Sequence, residues 1–364
     1  MKVKIYGAGS IGNHLAHASR SLGWEVHLCD IDEAALVRTQ EQIYPGRYGK
    51  WDETIQLYKT EDVPRNIYDL ICIGTPPEYH LPLAIDAIAE SPKAILIEKP
   101  ACPPDLARAQ ELYELAQGRN IFVSVGYDHV VAEATQKLAA IATEEWLGTV
   151  ETIDVEFREH WGGIFNAHPW LSGPADTYLG YWQRGGGASG EHSHALNLWQ
   201  HFAHLMGAGR VVEVSAMLDY VCAGEVHYDK ICALNLTTES GLVGRVVQDV
   251  VTQPPKKWGR IQGDRGYIAW HCGYQPGCDA LFYGQSQGKR EEYLVQKTRP
   301  DDFIAELKHV QACLDGQIKE SGIRLDRGLD TSLLVAAAHL SARAGKTVRI
   351  DYSRGYLSEA LQLS

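Results

Sequence analysis

The 364-residue chain has no hydrophobic run long enough to cross a bilayer, because a spanning helix needs about 20 consecutive apolar residues. It also has no C-x-x-C pair. Its eight cysteines are scattered, and only Cys272 and Cys278 lie near each other. Even with His271 beside them, that spacing does not fit the usual zinc patterns, so no metal is expected. Cys29, Cys72 and Cys232 fall inside apolar runs and read as buried thiols. Positive charge is in short supply: 34 Lys and Arg against 46 Asp and Glu leave a net charge of −12. That balance argues against a nucleic-acid partner, which needs a basic face. The short basic clusters Lys256-Lys257 and Lys289-Arg290 read as solvated loops. There is no low-complexity tract, no internal repeat and no leader-like segment ahead of the first apolar run. The expectation is a reduced, cytoplasmic, globular protein without a membrane partner. At 364 residues the chain is too long for one small core, so two domains are expected.

What is present begins at once. Lys2 to Tyr6 is a short, mostly apolar run, and Gly7, Gly9 and Gly12 follow it in G-x-G-x-x-G spacing, with a helix-like stretch from Ile11 to Leu22. Gly7 permits a tight turn out of a strand. Gly9 lets a pyrophosphate approach the backbone, and Gly12 lets the helix pack closely on the strand. Ser10, Ile11 and Gly12 would offer free N–H groups at the positive helix N-terminus. The glycine pattern alone is weak. A second apolar run, Glu25 to Cys29, strengthens it by ending at Asp30, 23 residues after Gly7. An acid there suits a ribose 2′-hydroxyl and repels a 2′-phosphate. NAD is therefore expected rather than NADP, since Ile31-Asp32-Glu33 supplies no cation for that phosphate.

Residues 1–125 go on alternating strand and helix. Tyr68 to Ile73 is a buried-type strand that stops at Gly74-Thr75-Pro76-Pro77, a turn that cannot continue a ladder. Ala94 to Ile97 is the next and breaks at Glu98-Lys99-Pro100. Helix-like stretches cover Glu33–Ile43, Leu81–Ala89 and Asp105–Gln117, Ile121–Val125 is another strand, and residues 44–66 read as irregular. This rhythm implies an α/β Rossmann domain with a doubly wound parallel sheet. Ligands bind beyond the carboxyl ends of such strands, so Gly9, Asp30, Thr75 and Lys99 should converge. Residues 126–364 change character. Runs of β composition at 150–157, 211–221, 228–237, 242–251 and 260–270 imply a C-terminal α+β domain with a large, mostly antiparallel open sheet. Helical stretches are expected at 185–206, 302–314 and 331–344. An open sheet needs its exposed face covered, so a homodimer or homotetramer through that sheet is expected.

Three motifs in order, Gly7-x-Gly9-x-x-Gly12, Ala94 to Pro100 with its Glu98-Lys99-Pro100 end, and Gly185-Gly186-Gly187 before a His-bearing helix, resemble the glucose–fructose oxidoreductase, inositol dehydrogenase and MocA (Gfo/Idh/MocA) family. The resemblance covers essentially the whole chain. It implies that Lys99 lies between nicotinamide and substrate, and that Gly74, Thr75, Pro76, His80 and Glu98 belong to the cofactor side. A lysine at a strand tip in such a crevice can donate to an alcohol or carbonyl oxygen and stabilise alkoxide character. Family members carry an Asp, a His four residues on and a second Asp three after that. His194 and Asn197 match the second half, whereas the first Asp falls on Gly190. Glu191 is the expected substitute. Positions three apart share a helical face, so Glu191, His194 and Asn197 would line one side. His194 would be the acid/base and Glu191 its orienting carboxylate, with His192 the alternative base.

Two further stretches suit a sugar. Trp161 to Trp170 is dense in aromatics and hydrogen-bonding groups, and Asn166, His168 and Trp170 could stack on and read a carbohydrate. Trp170 and Trp182 could equally be packing residues. Tyr127 and Asp128, followed by His129, resemble the family's substrate-side turn, but the usual Arg is replaced by Val130, which counts against an acidic substrate read by that Arg. The leading expectation is an NAD-dependent oxidoreductase acting on a secondary alcohol of a small-molecule sugar, polyol or sugar derivative. The alternatives are a glycoside hydrolase with an internal NAD redox cycle and a non-catalytic dinucleotide sensor. Lys99 and His194 argue against the sensor, which needs neither.

Overall fold

A computed structural model describes residues 1–142, 145–166, 170–285 and 287–364. The first apolar run forms β1 (Lys2–Tyr6), and the glycine turn leads into α1 (Ser10–Ser21). β2 (Glu25–Asp30), α2 (Glu33–Arg38), α3 (Tyr44–Tyr48), β3 (Gln56–Lys59), β4 (Leu70–Ile73), α4 (His80–Ile88), β5 (Ala94–Ile97), α5 (Ala109–Arg119) and β6 (Phe122–Val125) follow. The six strands pair in the order β3-β2-β1-β4-β5-β6, and every pairing is parallel. β4 and β5 are buried at every position, as strands covered on both faces must be. The stretch 44–66 is not wholly irregular, for it holds α3 and β3. β3 is a half-exposed edge strand, so it lacks the apolar run that marks its neighbours.

The second half opens with the short helices α6 (Asp128–Val131) and α7 (Glu133–Ala142). β7 (Val150–Arg158) follows, then α8 (Trp161–Asn166), α9 (Gly187–Glu191) and α10 (His194–Leu205). The chain then runs through β8 (Val211–Ala223), β9 (Val226–Thr238), β10 (Val243–Asp249), β11 (Lys256–Gly263), β12 (Gly266–Gln275), β13 (Cys278–Gln285) and β14 (Glu291–Gln296). It ends with α11 (Arg299–Leu314), α12 (Leu325–Ala344), β15 (Val348–Ile350) and β16 (Leu361–Leu363). These ten strands order as β14-β13-β12-β11-β7-β10-β9-β8-β15-β16. β7 and β10 pair in parallel and the other pairs are antiparallel. The expected strand at 260–270 is a hairpin, with β11 and β12 meeting at Gly263-Asp264-Arg265-Gly266. The single helical stretch expected over 185–206 is two helices, broken at His192-Ser193.

α10 packs on β7 and α12 on β8. The opposite face carries charge in ion pairs, Arg245 with Asp154 at 2.9 Å and Lys256 with Glu156 at 3.0 Å. β6 meets the second half of the chain where the Val125 N–H donates to the carbonyl of Ile323, in the segment before α12, at 2.8 Å. All eight cysteines are free thiols, and no helix among the described residues is long and apolar enough to cross a membrane.

One feature of β1 departs from its apolar reading. Lys4 is fully buried and ion-paired with Glu90, which is equally buried. Its ammonium also lies 5.0 and 4.9 Å from the ring centroids of Tyr6 and Tyr68. Removing one partner of a buried pair leaves an uncompensated charge and typically costs about 3–5 kcal/mol. Lys4→Met should therefore lower the denaturation midpoint strongly, and Lys4→Met with Glu90→Gln should recover most of the loss in the same titration.

Candidate active site

The glycine turn fits a dinucleotide at its own backbone. A Cβ on Gly12 would lie 1.8 Å from the Gly7 carbonyl oxygen, whereas one on Gly9 would meet nothing within 4 Å. The helix thus packs on the turn through Gly12 and leaves an open face at Gly9. The N–H groups of Ser10, Ile11 and Gly12 have no hydrogen-bond acceptor among the described residues. This combination suits an anionic pyrophosphate. The Asp30 carboxylate accepts from the Ala8 N–H at 2.7 Å and the Asp32 N–H at 2.9 Å, which fixes it beside the turn. Lys59 stands in register with Asp30 on β3, and its ammonium is held by Glu33 at 2.9 Å. Arg47 was not foreseen. It donates to the Ser10 carbonyl and hydroxyl, each at 2.8 Å, and brings a cation to the same turn from the stretch read as irregular.

β4 stands next to β1, and β5 beyond it. A Cβ on Gly7 would lie 2.8 Å from the Gly74 carbonyl, so the two turns touch. Thr75 is half-buried and Pro76 exposed. His80 does not present a face to a cofactor. It is fully buried, with one ring nitrogen 2.9 Å from the Pro100 carbonyl and the other 2.7 Å from that of Thr75. It pins the two turns together, because a buried polar ring must find partners. Glu98 is likewise turned inward. It is buried, a Cβ on Gly126 would sit 3.0 Å from its Oε1, and burial with Asp128 nearby raises its carboxyl to about 7.

Lys99 leaves the end of β5 and reaches the end of α9. Its ammonium donates to the Glu191 carbonyl at 2.8 Å and to Glu191 Oε2 at 3.0 Å. Burial pushes the Glu191 carboxyl up, but Lys99 and His192 outweigh it and hold the group below the ordinary range. Glu191 was expected to orient His194, and the break at His192-Ser193 explains why it does not. Glu191 closes α9 and His194 opens α10, so the one-face argument fails. Asn197 is also not free to line the cleft, since it is 3% exposed and donates to the Thr331 hydroxyl at 3.0 Å. Tyr127 is buried, with its hydroxyl donating to Ser193 Oγ at 3.3 Å.

The carboxylate beside His194 is Asp128, whose Oδ1 lies 3.6 Å from His194 Nδ1 and 3.9 Å from His129 Nδ1. These three atoms lie within 4.8 Å of one another and each lacks a hydrogen-bond partner. Burial first, with the charge of Lys99 adding to it, pushes His194 well below its ordinary value. Burial lowers His129 to about 3 and His192 to about 4. All three imidazoles are therefore neutral near pH 7. His129 and His194 rest on a floor of Phe157 and Trp270, which are stacked 6.0 Å apart at 5°. Beneath the site, burial and the nearby Glu98 raise the fully buried Glu306 well above its ordinary value.

Lys257, read as a solvated loop residue, lies on β11 and pairs with Glu159 at 2.9 Å. Neither carried a motif, and strand register alone could have placed them. Of the aromatic stretch, Asn166 is exposed at the end of α8. Trp170 lies 5.9 Å from the Arg38 guanidinium of α2, on the cofactor half rather than against His194. His168 lies outside the described residues. Trp182 stacks on His339 at 4.3 Å, as a packing residue does.

The departure at Gly190 has a packing cause, for a Cβ there would lie 1.9 Å from the Gly185 carbonyl oxygen. Gly190→Asp, which restores the family residue, should therefore not strengthen the site. Thermal unfolding should show a lower midpoint, and NADH formation should be lost rather than improved.

Comparison with known proteins agrees with this architecture. Residues 1–127 match the model "Oxidoreductase family, NAD-binding Rossmann fold" and residues 135–269 match the "GFO/IDH/MocA C-terminal domain". No curated protein sequence matches the chain. Among solved structures, levoglucosan dehydrogenase in complex with NADH is similar at a TM-score of 0.74–0.76 across two complexes; the NADH complex has 0.76 and 16% identity, covering 96% of this chain and 98% of that one. The aldose-aldose oxidoreductase from Caulobacter crescentus complexed with glycerol has a TM-score of 0.74 and 19% identity, covering 96% and 99%. GenD2 from gentamicin A biosynthesis in complex with NAD has 0.74 and 19%, covering 96% of each. At these identities the likeness is one of fold. With its two halves matched by successive models of one family, the chain belongs to the NAD-binding Gfo/Idh/MocA oxidoreductases.

Proposed function

We propose that the protein is an NAD-dependent dehydrogenase acting on a secondary alcohol of a sugar, polyol or sugar derivative. Residues 1–125 serve the cofactor and residues 126–364 the substrate. The observation that carries this reading is that Lys99, at the end of β5, is bonded to Glu191, three residues before the neutral His194, whose carboxylate neighbour is Asp128. Levoglucosan dehydrogenase and an aldose-aldose oxidoreductase among the similar structures support the sugar class. The turn at Gly7 to Gly12, with Asp30, would hold NAD, which when bound supplies the oxidant that accepts the hydrogen leaving carbon with its electron pair.

The chain's own groups handle the oxygen and the proton. An ammonium has three N–H donors. Two of those on Lys99 go to Glu191, which aims the third at a substrate oxygen. The positive charge stabilises the oxygen as it loses its proton. His194 takes that proton on the nitrogen not facing Asp128. Asp128, 3.6 Å from the other nitrogen, stabilises the imidazolium. Holding the alcohol between these groups in a largely buried cleft supplies orientation and excludes water.

The base must be neutral to work. Its pKa is lowered, so it stays neutral until the pH falls through that lowered value. The acid limb of kcat/KM should therefore lie below pH 6.5, and a limb above 6.5 would contradict the assignment. Lys99→Met should keep NAD affinity within a few-fold and lose about 10²-fold or more in turnover. The direct test follows reduced-nicotinamide absorbance with polyols, aldoses, sugar nucleotides and aryl glycosides, with glycoside cleavage monitored in parallel. NADH from one compound class is the expected result. Cleavage without NADH would replace the dehydrogenase reading with an internal redox cycle.

A further inference from the structure

Strand alternation carries Lys257 into the cleft. On β11, Gly259 and Ile261 are buried, and Lys257 is the next residue on their face. Lys256 points the other way and pairs with Glu156 at 3.0 Å. Across the ladder Lys257 stands opposite Phe157 on β7 and Cys272 on β12. It therefore ends the row that supports His129 and His194. Its ammonium lies 2.9 Å from Glu159 Oε2, with the two side chains 26% and 25% exposed. This second ion pair is partly exposed, more so than the one between Lys99 and Glu191, whose side chains are 12% and 19% exposed. The charges of both pairs act on His192. His192 is 3% exposed, and its Nε2 is buried without a hydrogen-bond partner.

A polar nitrogen buried unpartnered beside two half-open ion pairs is unfavourable alone, and a ligand that bonds to it removes the penalty. The chemistry of the row specifies the ligand. Each ion pair presents N–H donors next to carboxylate acceptors. A hydroxyl both donates and accepts, so it can bridge such a pair and satisfy both members. A carboxylate or phosphate only accepts, and in this row it would meet Glu159 and Glu191 as like charges. Arg299, at the start of α11, is exposed and over the Phe303 ring at 5.4 Å. It has no ion-paired carboxylate among the described residues.

We propose that His192, Glu159 and Lys257 form a subsite that reads the hydroxyls next to the reacting carbon and restricts the reacting ring to an uncharged, vicinally hydroxylated one. This rests on the dehydrogenase reading and deepens it. Initial rates should be compared for the neutral aldose or polyol that gives NADH, its single-deoxy analogues and its uronate. The proteins are the native one, Lys257→Met, and the charge-balanced Glu159→Gln with Lys257→Met, which avoids an unpaired carboxylate. KM for the parent compound should rise at least tenfold in both variants, with a smaller change in kcat. One deoxy analogue should already show that rise with the native protein and suffer little further loss in the variants. The uronate should have at least a tenfold higher KM than the parent. An unchanged KM in Lys257→Met, equal losses for every analogue, or a preferred uronate would overturn the subsite. If no compound gives NADH, the dehydrogenase reading fails separately. Fluorescence titration of the NAD-loaded protein with D-glucose and myo-inositol then decides the subsite. Tenfold weaker binding to Lys257→Met upholds it, and equal or absent binding overturns it.

Discussion

The ion pair between Lys99 and Glu191 joins residues 92 apart, through two hydrogen bonds of 2.8 and 3.0 Å. A buried pair repays its desolvation only when both charges are held in good geometry, and much of the surrounding structure supplies that geometry. His80 ties the turns after β4 and β5 on one side. On the other, Gly190 folds α9 back against Gly185. Asp229 anchors α9 by accepting from the Ser189 N–H at 2.7 Å and its hydroxyl at 3.0 Å. The Ser189 hydroxyl in turn lies 3.0 Å from His339. The contact links the end of β5 to the end of α9, and each half of the chain fixes one end of it.

Around that contact, burial sets the protonation of the groups. It lowers His129, His192 and His194 and raises Glu98 and Glu306. The neutral histidines can accept a proton, while the acids behind them tend to hold theirs. This separation of acid and base by environment is how a site runs proton transfer near neutral pH. The chain departs from its family at Gly190, and in the proposed mechanism the carboxylate duty is divided. Glu191 holds the lysine, and Asp128, from the start of α6, stands beside the histidine.

The legible parts of the fold were those with strong local signals. β1, β4 and β5 carry apolar runs that end at glycine or proline turns, and β2 carries one that ends at Asp30. β3 and β14 to β16 are short or half-exposed and carry no such run; β13 does carry one, Ala280 to Tyr283, and is buried along most of its length, yet it is not among the expected strands. Within the site, Gly7, Gly9, Gly12, Asp30, Lys99 and His194 could be singled out because a motif or a strand end marks each. Asp128 was singled out as a substrate residue, but its place beside His194 depends on α6 meeting α10, a contact between segments 66 residues apart. Lys257 was misread as a loop residue because a lysine pair looks solvated in the sequence, and only the alternation of β11 separates Lys256 from Lys257. Glu191 pairs with Lys99 rather than orienting His194, because the stretch expected as one helix is two, with Glu191 ending α9 and His194 opening α10.

The central claim is that carbon-bound hydrogen passes from a sugar-type alcohol to NAD in a cleft organised by Lys99 and His194. The most direct measurement uses a polyol or aldose deuterated at the secondary carbinol carbons, incubated with NAD and the protein. The recovered nicotinamide is then analysed by mass spectrometry and NMR. One deuterium is expected at C4 of the nicotinamide, on one face only, and none with Lys99→Met under the same conditions. Recovery of unlabelled cofactor from a native protein that binds NAD and turns over the sugar would contradict it.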